Sequence, residues 1–313
     1  MNGRKTITPK WAAQGMSIQK TVPEIREAIL KTIAFFDLFD YPLTAWEIQK
    51  NLLLPAKLGE IIAVLDQETD PELVAEKNIE RKNGFYFLNG RAAIIDLRQV
   101  RYNYYYRKIK IARRFARLFG FFPFVRAVAL ANVIGDGNLR DESDLDFFIV
   151  TAPRRLWLVR LYCAGLAKVL NRRPTATDKK DKLCLSFYVS EERLNLEDLK
   201  LADQDPYFIY WRRNLVLLYN KDRTYERFLA ANGLEEESVS TPVFGRNPWL
   251  DYLEKISKTW QLKIMPPLLK AANNNSDGVV INDQILKLYI RDRRRQYAEK
   301  YDCKIREIFK ENC

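Results

Sequence analysis

The run Ser143-Asp144-Leu145-Asp146-Phe147-Phe148-Ile149-Val150 sets two carboxylates two residues apart at the mouth of an apolar, β-favouring segment. On a strand, residues i and i+2 point the same way, so Asp144 and Asp146 share one face and converge on one point. Two like charges that close repel unless a cation sits between them. Mg²⁺ is a hard ion that takes carboxylate, water and phosphate oxygens. An Asp-x-Asp at a strand end is therefore suited to carry metal-bound nucleotide phosphates, and it points to phosphoryl or nucleotidyl transfer. Taken alone, the same pair also reads as an acidic turn that opens a strand.

Composition narrows the chemistry further. None of the 313 residues is histidine, which excludes Ser-His-Asp and Cys-His catalysis, His-ligated zinc and imidazole bases. Any reaction must run on carboxylates, lysine, tyrosine, cysteine or a bound metal. The four cysteines, Cys163, Cys184, Cys303 and Cys313, show no C-x-x-C spacing, which argues against a zinc knuckle or a thioredoxin-like motif. Cys163 and Cys184 lie in apolar runs and read as buried packing thiols. This cysteine usage suits a reducing cytosol. The net charge of +12 favours polyanionic partners such as nucleic acid, nucleotides or an anionic surface, and is equally compatible with generic basicity. The N-terminus is polar and basic, without an apolar signal core. The longest apolar stretch, Phe119 to Ile134, is broken by Pro123 and Arg126 and falls short of the ~20 residues of a membrane span. The expectation is a soluble, cytoplasmic chain with no membrane partner.

The elements that must position the acids follow from periodicity. At 47% hydrophobic and 29% charged the chain can bury real cores, and its length allows two or three domains. Residues 1–20 read as a basic arm. A helix is expected from Val22 to about Phe39, with Ile25, Ile29, Ile33 and Phe36 on one stripe, and Tyr41-Pro42 ends it. Thr44-Ala45-Trp46-Glu47 has the form of a capping box and starts a second helix. A third covers roughly Lys57 to Gln67. Leu73-Val74-Ala75 reads as a short strand, and Asn83-Gly84 as a hairpin turn before Phe85-Tyr86-Phe87-Leu88. Three helices followed by a hairpin, over about 21–92, resemble a winged helix. The third helix carries Glu60, Asp66 and Glu68 against Lys57, which disfavours major-groove docking. Contact with a protein partner or with RNA is the favoured role of this module.

A basic connecting helix is expected over 93–120. Arg107, Lys110, Arg114 and Arg117 fall on one stripe, while Tyr105, Ile109, Ala112, Ala116 and Phe119 form an apolar one. Interleaved tyrosines offer faces for base stacking, so these cations are candidate contacts to phosphate, RNA or DNA. A solvated basic face is the alternative.

The stretch 121–230 has the pattern strand, Gly- and Asp-rich segment, strand, helix, strand. With its Ser-Asp-Leu-Asp before an apolar strand, it resembles the polymerase β-like nucleotidyltransferase superfamily. More closely, the chain resembles bacterial proteins that join an N-terminal winged helix to such a domain, in Phe122-Pro123-Phe124-Val125-Arg126 and in Arg155-Leu156-Trp157-Leu158-Val159-Arg160. The resemblance implies a Gly-Ser turn that brings backbone N–H groups to phosphates, an Asp pair that binds two metal ions, and a third carboxylate on a later strand that activates the attacking hydroxyl. Asp144 and Asp146 match the metal-binding catalytic pair, which would hold Mg²⁺ with an NTP. Asn132, Gly135, Gly137 and Ser143 are the candidate nucleotide-binding residues, and Arg160 a candidate phosphate contact.

Two departures stand out. The Gly-Ser positions fall on Asn132-Val133, or on Gly135-Asp136 at shorter spacing. The strand Leu183 to Val189 has no acid; Ser186 sits where one is expected, and Asp178, Asp181, Glu191 and Glu192 only flank it. The remaining chain, 231–313, reads as a C-terminal helical region, with helices over Trp249 to about Ala272 and Asp283 to about Lys310; Asp205 to Tyr219 reads as a helix packed on the sheet. The expected class is α+β. The expected function is Mg-NTP binding through Asp144 and Asp146 with transfer of NMP to an acceptor. The alternatives are a catalytically decayed nucleotide- or RNA-binding module and a winged-helix regulator.

Overall fold

The computed structural model describes residues 21–70, 72, 78–201, 205–235, 245–273, 278–290 and 292–310. The basic arm 1–20, the strand expected at Leu73-Val74-Ala75 and Cys313 lie outside the described residues. The elements are α1 (Val22–Asp37), α2 (Ala45–Asn51), α3 (Leu58–Thr69), β1 (Ile79–Lys82), β2 (Phe85–Leu88), α4 (Ile94–Gly120), β3 (Val125–Leu130) and β4 (Leu145–Thr151). Then come α5 (Leu156–Val169), β5 (Leu183–Ser190), α6 (Pro206–Arg213), β6 (Val216–Asn220), α7 (Thr224–Ala231), α8 (Pro248–Ile264), α9 (Pro267–Ala271), β7 (Val279–Ile281), β8 (Ile285–Leu288) and α10 (Arg294–Phe309). The class is mixed α+β. Among the described residues no helix is long and apolar enough to cross a membrane.

The chain forms two compact units. One holds the described residues up to Val100 and those from Gln296 on; the other runs Arg101–Arg295. In the first, α1 opens on a capping box in which Thr21 N–H donates to Glu24 Oε2 at 2.9 Å. Helix α2 opens on the box expected at Thr44 and Glu47; such a cap is worth about 1 kcal/mol. Ile29, Leu30, Phe35 and Phe36 are fully buried. The hairpin turns at Asn83 and Gly84, both at positive φ (54° and 79°), which is what the two central residues of a type I′ turn require. Arg98 clamps this unit: it donates to both Glu47 oxygens at 2.8 Å and lies 4.2 Å over the Tyr41 ring. The buried Asp37 accepts from Arg91 at 2.9 Å and from Lys304 at 2.7 Å. That second bond ties α10 to α1, and Tyr297 adds a ring contact with Phe39 at 4.9 Å.

The second unit is built on a six-stranded sheet of order β6-β3-β4-β5-β8-β7. Strands β3 and β4 are antiparallel, and β4 runs parallel to β5 through α5. Side-chain alternation divides the sheet. Leu145, Phe147 and Ile149 join Leu183, Leu185 and Tyr188 in one core with α4 and α5. On the other face Phe148 meets Phe187, Trp211 and Phe228 at ring separations of 5.1–5.8 Å.

Three expectations are corrected here. The helix expected over Asp205 to Tyr219 ends at Arg213, and Val216–Asn220 becomes the edge strand β6. The helix expected from Asp283 begins only at Arg294, because Ile285–Leu288 pairs with β5 as β8. The region 231–313 is thus not wholly helical: it supplies two strands to the sheet and one helix to the first unit.

Candidate metal centre

The candidate acids stand at the start of the parallel pair β4/β5. Asp146 is the second residue of β4 and lies opposite Cys184 in register. One oxygen each of Asp144 and Asp146 and the Cys184 sulfur lie within 4.8 Å of one another, all half-buried. The register then slips: Phe148 pairs with Phe187, so β5 carries one extra residue between Cys184 and Phe187. Alternation along β5 leaves Cys184 and Ser186 on the face of the acids, with the Ser186 Oγ 3.2 Å from the Cys184 sulfur, and the bulge turns Phe187 onto that same face beside Phe148. Bulges recur beside functional sites because they re-aim one side chain. Cys184 is therefore not a packing thiol of the core but a third donor beside the acids; Ser186, at the position where a third carboxylate was sought, is its neighbour on that face. Strict alternation with Leu183 and Leu185, both buried in the core, was the available signal.

The electrostatics are those of an unneutralised pair. Burial, and then the neighbouring Asp144, push the Asp146 carboxyl up to about 7. Burial also raises Asp144, against the pull of Lys179 and Lys108. The Cys184 thiol is held well above its ordinary range by burial and by Asp146, with which it shares a hydrogen bond. Among the described residues no lysine or arginine lies within ion-pairing distance of Asp144 or Asp146. By contrast, the buried acids Asp37, Glu47, Glu68, Glu191 and Asp205 each carry one. A buried acid without a partner is costly, so this pair stands apart.

The loop between β3 and β4 is held from α4. Lys108 is fully buried, and its Nζ donates to Ser143 O at 2.6 Å and to Asp181 Oδ1 at 2.9 Å. Arg107 pairs with Asp141 at 2.5 Å and with Asp181 at 2.9 Å. Asn132 Nδ2 donates to Asp144 O at 2.8 Å, so its amide braces the first acid; its Oδ1 is buried with no hydrogen-bond partner among the described residues. Ser143 Oγ donates to Arg140 O at 2.9 Å and is turned onto the loop's own backbone. Gly135 and Gly137 take positive φ (89° and 83°), and a Cβ on Gly137 would meet the Tyr102 ring at 3.0 Å.

The candidate cations divide. Lys110, Arg114 and Arg117 are exposed, with no acidic partner among the described residues, whereas Arg107 is ion-paired to the loop. Arg160 donates to Gln261 Oε1 at 2.5 Å on α8, and burial lowers its basicity. The flanking acids have other partners: Asp178 pairs with Lys182, Asp181 with Arg107 and Lys108, and Glu191 with Arg227 and Thr224. Glu192 accepts from Ser190 Oγ at 3.2 Å. The reading of the sequence missed Lys108 as the loop's anchor and Lys179, an exposed cation with no acidic partner among the described residues, whose field acts on Asp144.

Comparison with protein-family models, with curated proteins and with solved structures returns no match, so the site rests on its own geometry.

Proposed function

We propose that this chain is a nucleotidyltransferase-like protein, with an N-terminal winged helix, that binds a divalent cation and a nucleoside triphosphate through Asp144 and Asp146. The observation that carries this reading is the unpaired Asp144–Asp146 pair at the start of β4, closed on by a third donor from β5. A bound divalent ion would neutralise the triphosphate and polarise the phosphorus under attack. The two carboxylates fit Mg²⁺, which takes oxygen donors. The charge of Lys179 acts on Asp144, so a phosphate bound there would meet a positive field. Lys108 and Asn132 hold the backbone on either side of the first acid, so both carboxylates are set before a ligand arrives.

The order of elements supports the resemblance: antiparallel β3/β4, a helix, and β5 parallel to β4. In the first unit, three helices precede a hairpin. There Asp66 pairs with Arg81 of the hairpin and Glu68 with Arg26, an acid-rich α3 that suits a protein partner better than a DNA groove.

A second reading, nucleotide binding without transfer, is favoured by one observation: β5, Leu-Cys-Leu-Ser-Phe-Tyr-Val-Ser, offers no carboxylate to activate an acceptor. The deciding experiment incubates each α-labelled NTP with the protein, Mg²⁺ or Mn²⁺, and RNA, tRNA or protein extract. Label transfer lost in the Asp144→Asn/Asp146→Asn variant supports the enzyme. Binding without transfer supports the second reading.

A further inference from the structure

We propose that Asp144, Asp146 and Cys184 form a mixed oxygen–sulfur centre that takes a thiophilic divalent ion, of the zinc, cobalt or cadmium kind, in preference to Mg²⁺. This rests on the reading of Asp144 and Asp146 as a cation-binding pair, and it concerns the third donor, which departs from the all-oxygen set that the resemblance implies.

The geometry suits one ion. Metal–ligand bonds of about 2.0–2.3 Å at a tetrahedral ion place neighbouring donor atoms roughly 3.3–3.8 Å apart. Three donors already within 4.8 Å of one another reach that spacing by small side-chain rotations. Three protein donors leave a fourth position open for water or a phosphate oxygen, the arrangement of catalytic rather than structural zinc sites. The chemistry of the donors selects the ion. Thiolate sulfur is a soft ligand that favours zinc-like ions, whereas Mg²⁺ is served by carboxylate, carbonyl and water. Binding exchanges the thiol proton for a metal–sulfur bond and releases that proton to solvent.

The surroundings support a built donor rather than a stray cysteine. The register of the parallel pair sets Cys184 directly opposite Asp146. Two residues further along the strand, on the same face, the Ser186 hydroxyl lies 3.2 Å from the sulfur, where a hydrogen bond can orient a ligand. Cys163, fully buried on α5 in the core on the opposite face, cannot share in the site, and the chain has no histidine to complete a competing one.

The test uses the full chain with Cys303→Ser and Cys313→Ser, so that Cys163 and Cys184 are the remaining thiols, without nucleotide. Co²⁺ is titrated in and the near-ultraviolet sulfur-to-cobalt charge-transfer band recorded, with Zn²⁺ and Mg²⁺ as competitors. The proposal expects one equivalent of Co²⁺ with that band, displaced by Zn²⁺ and not by millimolar Mg²⁺. Cys184→Ser should abolish the band and weaken Co²⁺ binding at least about tenfold, and Asp144→Asn/Asp146→Asn should remove binding. Cys184→Asp should shift the preference toward Mg²⁺. Co²⁺ bound without a sulfur band, no binding, or a band that survives the Asp substitutions would each overturn the proposal. None of these readouts involves a nucleotide. Failure of NTP to bind a protein that gives the sulfur band would therefore count against the nucleotide reading alone.

Discussion

Lys108, fully buried on α4, donates from Nζ to the carbonyl of Ser143, the residue immediately before Asp144, at 2.6 Å. The same ammonium reaches Asp181, just ahead of β5, at 2.9 Å. One side chain therefore fixes the approach to both strands that carry the candidate donors. Lys108→Met should destabilise the protein by about 2–4 kcal/mol, because Asp181 loses a buried partner and keeps only Arg107. It should also weaken divalent-ion binding about tenfold, although Lys108 is no ligand, since supporting contacts of that kind tune affinity on this scale. Chemical denaturation and a metal titration on the folded variant measure the two effects separately.

The Asp pair has a cost in the metal-free protein. Asp146 is raised to about 7 by burial and by Asp144, against an unfolded value near 3.8. The folded state thus holds its proton more tightly than the unfolded state. This contribution to stability is complete below about pH 4 and is lost as pH rises to about 7 and beyond. Asp146→Asn should therefore stabilise the metal-free protein at pH 8, by about 2–4 kcal/mol, and flatten its stability profile between pH 4 and 7. Thermal unfolding across that range reads this directly; a variant less stable than wild type at pH 8 would oppose it.

The sheet shows which parts of the site were legible. Asp144 and Asp146 declare themselves through the period of two that any strand imposes. The capping boxes at Thr21 and Thr44 and the Asn83-Gly84 turn are local chemistry and can be read residue by residue. The same alternation turns Cys184 away from Leu183 and Leu185 but does not put it beside the acids. Its partnership with Asp146 depends on a parallel pairing between distant segments, which has no local signature. Lys108 looked like one more cation on a basic helix, and only its 0% exposure shows that it belongs to the buried face with Ile109 and Ala112. Strands β6 and β8 were hidden for another reason: short apolar runs beside helical segments satisfy either period. The placement of α10 with α1 rests on Lys304 and Asp37, a contact between residues 267 positions apart.

Lys179 offers a cleaner probe of phosphate binding than the acids do. It is exposed, has no acidic partner among the described residues, and its charge acts on Asp144, so its removal should leave stability within about 0.5 kcal/mol. Lys179→Ala is expected to weaken NTP binding several-fold while leaving metal binding in the absence of nucleotide unchanged. Parallel titrations with metal alone and with metal plus NTP test this.

The outer face of α4 makes a separate prediction. Lys110, Arg114 and Arg117 are exposed without acidic partners among the described residues, whereas Arg107 is tied to Asp141 and Asp181. If the helix contacts RNA or DNA, replacing the three free cations with Gln should reduce the slope of log affinity against log salt by about 2–3. Replacing Arg107 should act mainly through the loop it holds and lower stability. An unchanged salt slope in the triple variant would remove this face as a nucleic-acid surface.

The most direct test of the central claim is equilibrium binding of labelled NTP with and without divalent cation, comparing the wild-type chain with Asp144→Asn/Asp146→Asn. The account predicts saturable binding that requires the cation and is lost in a double variant that remains folded and at least as stable as wild type. Cation-independent binding, or binding that survives both substitutions, would contradict it.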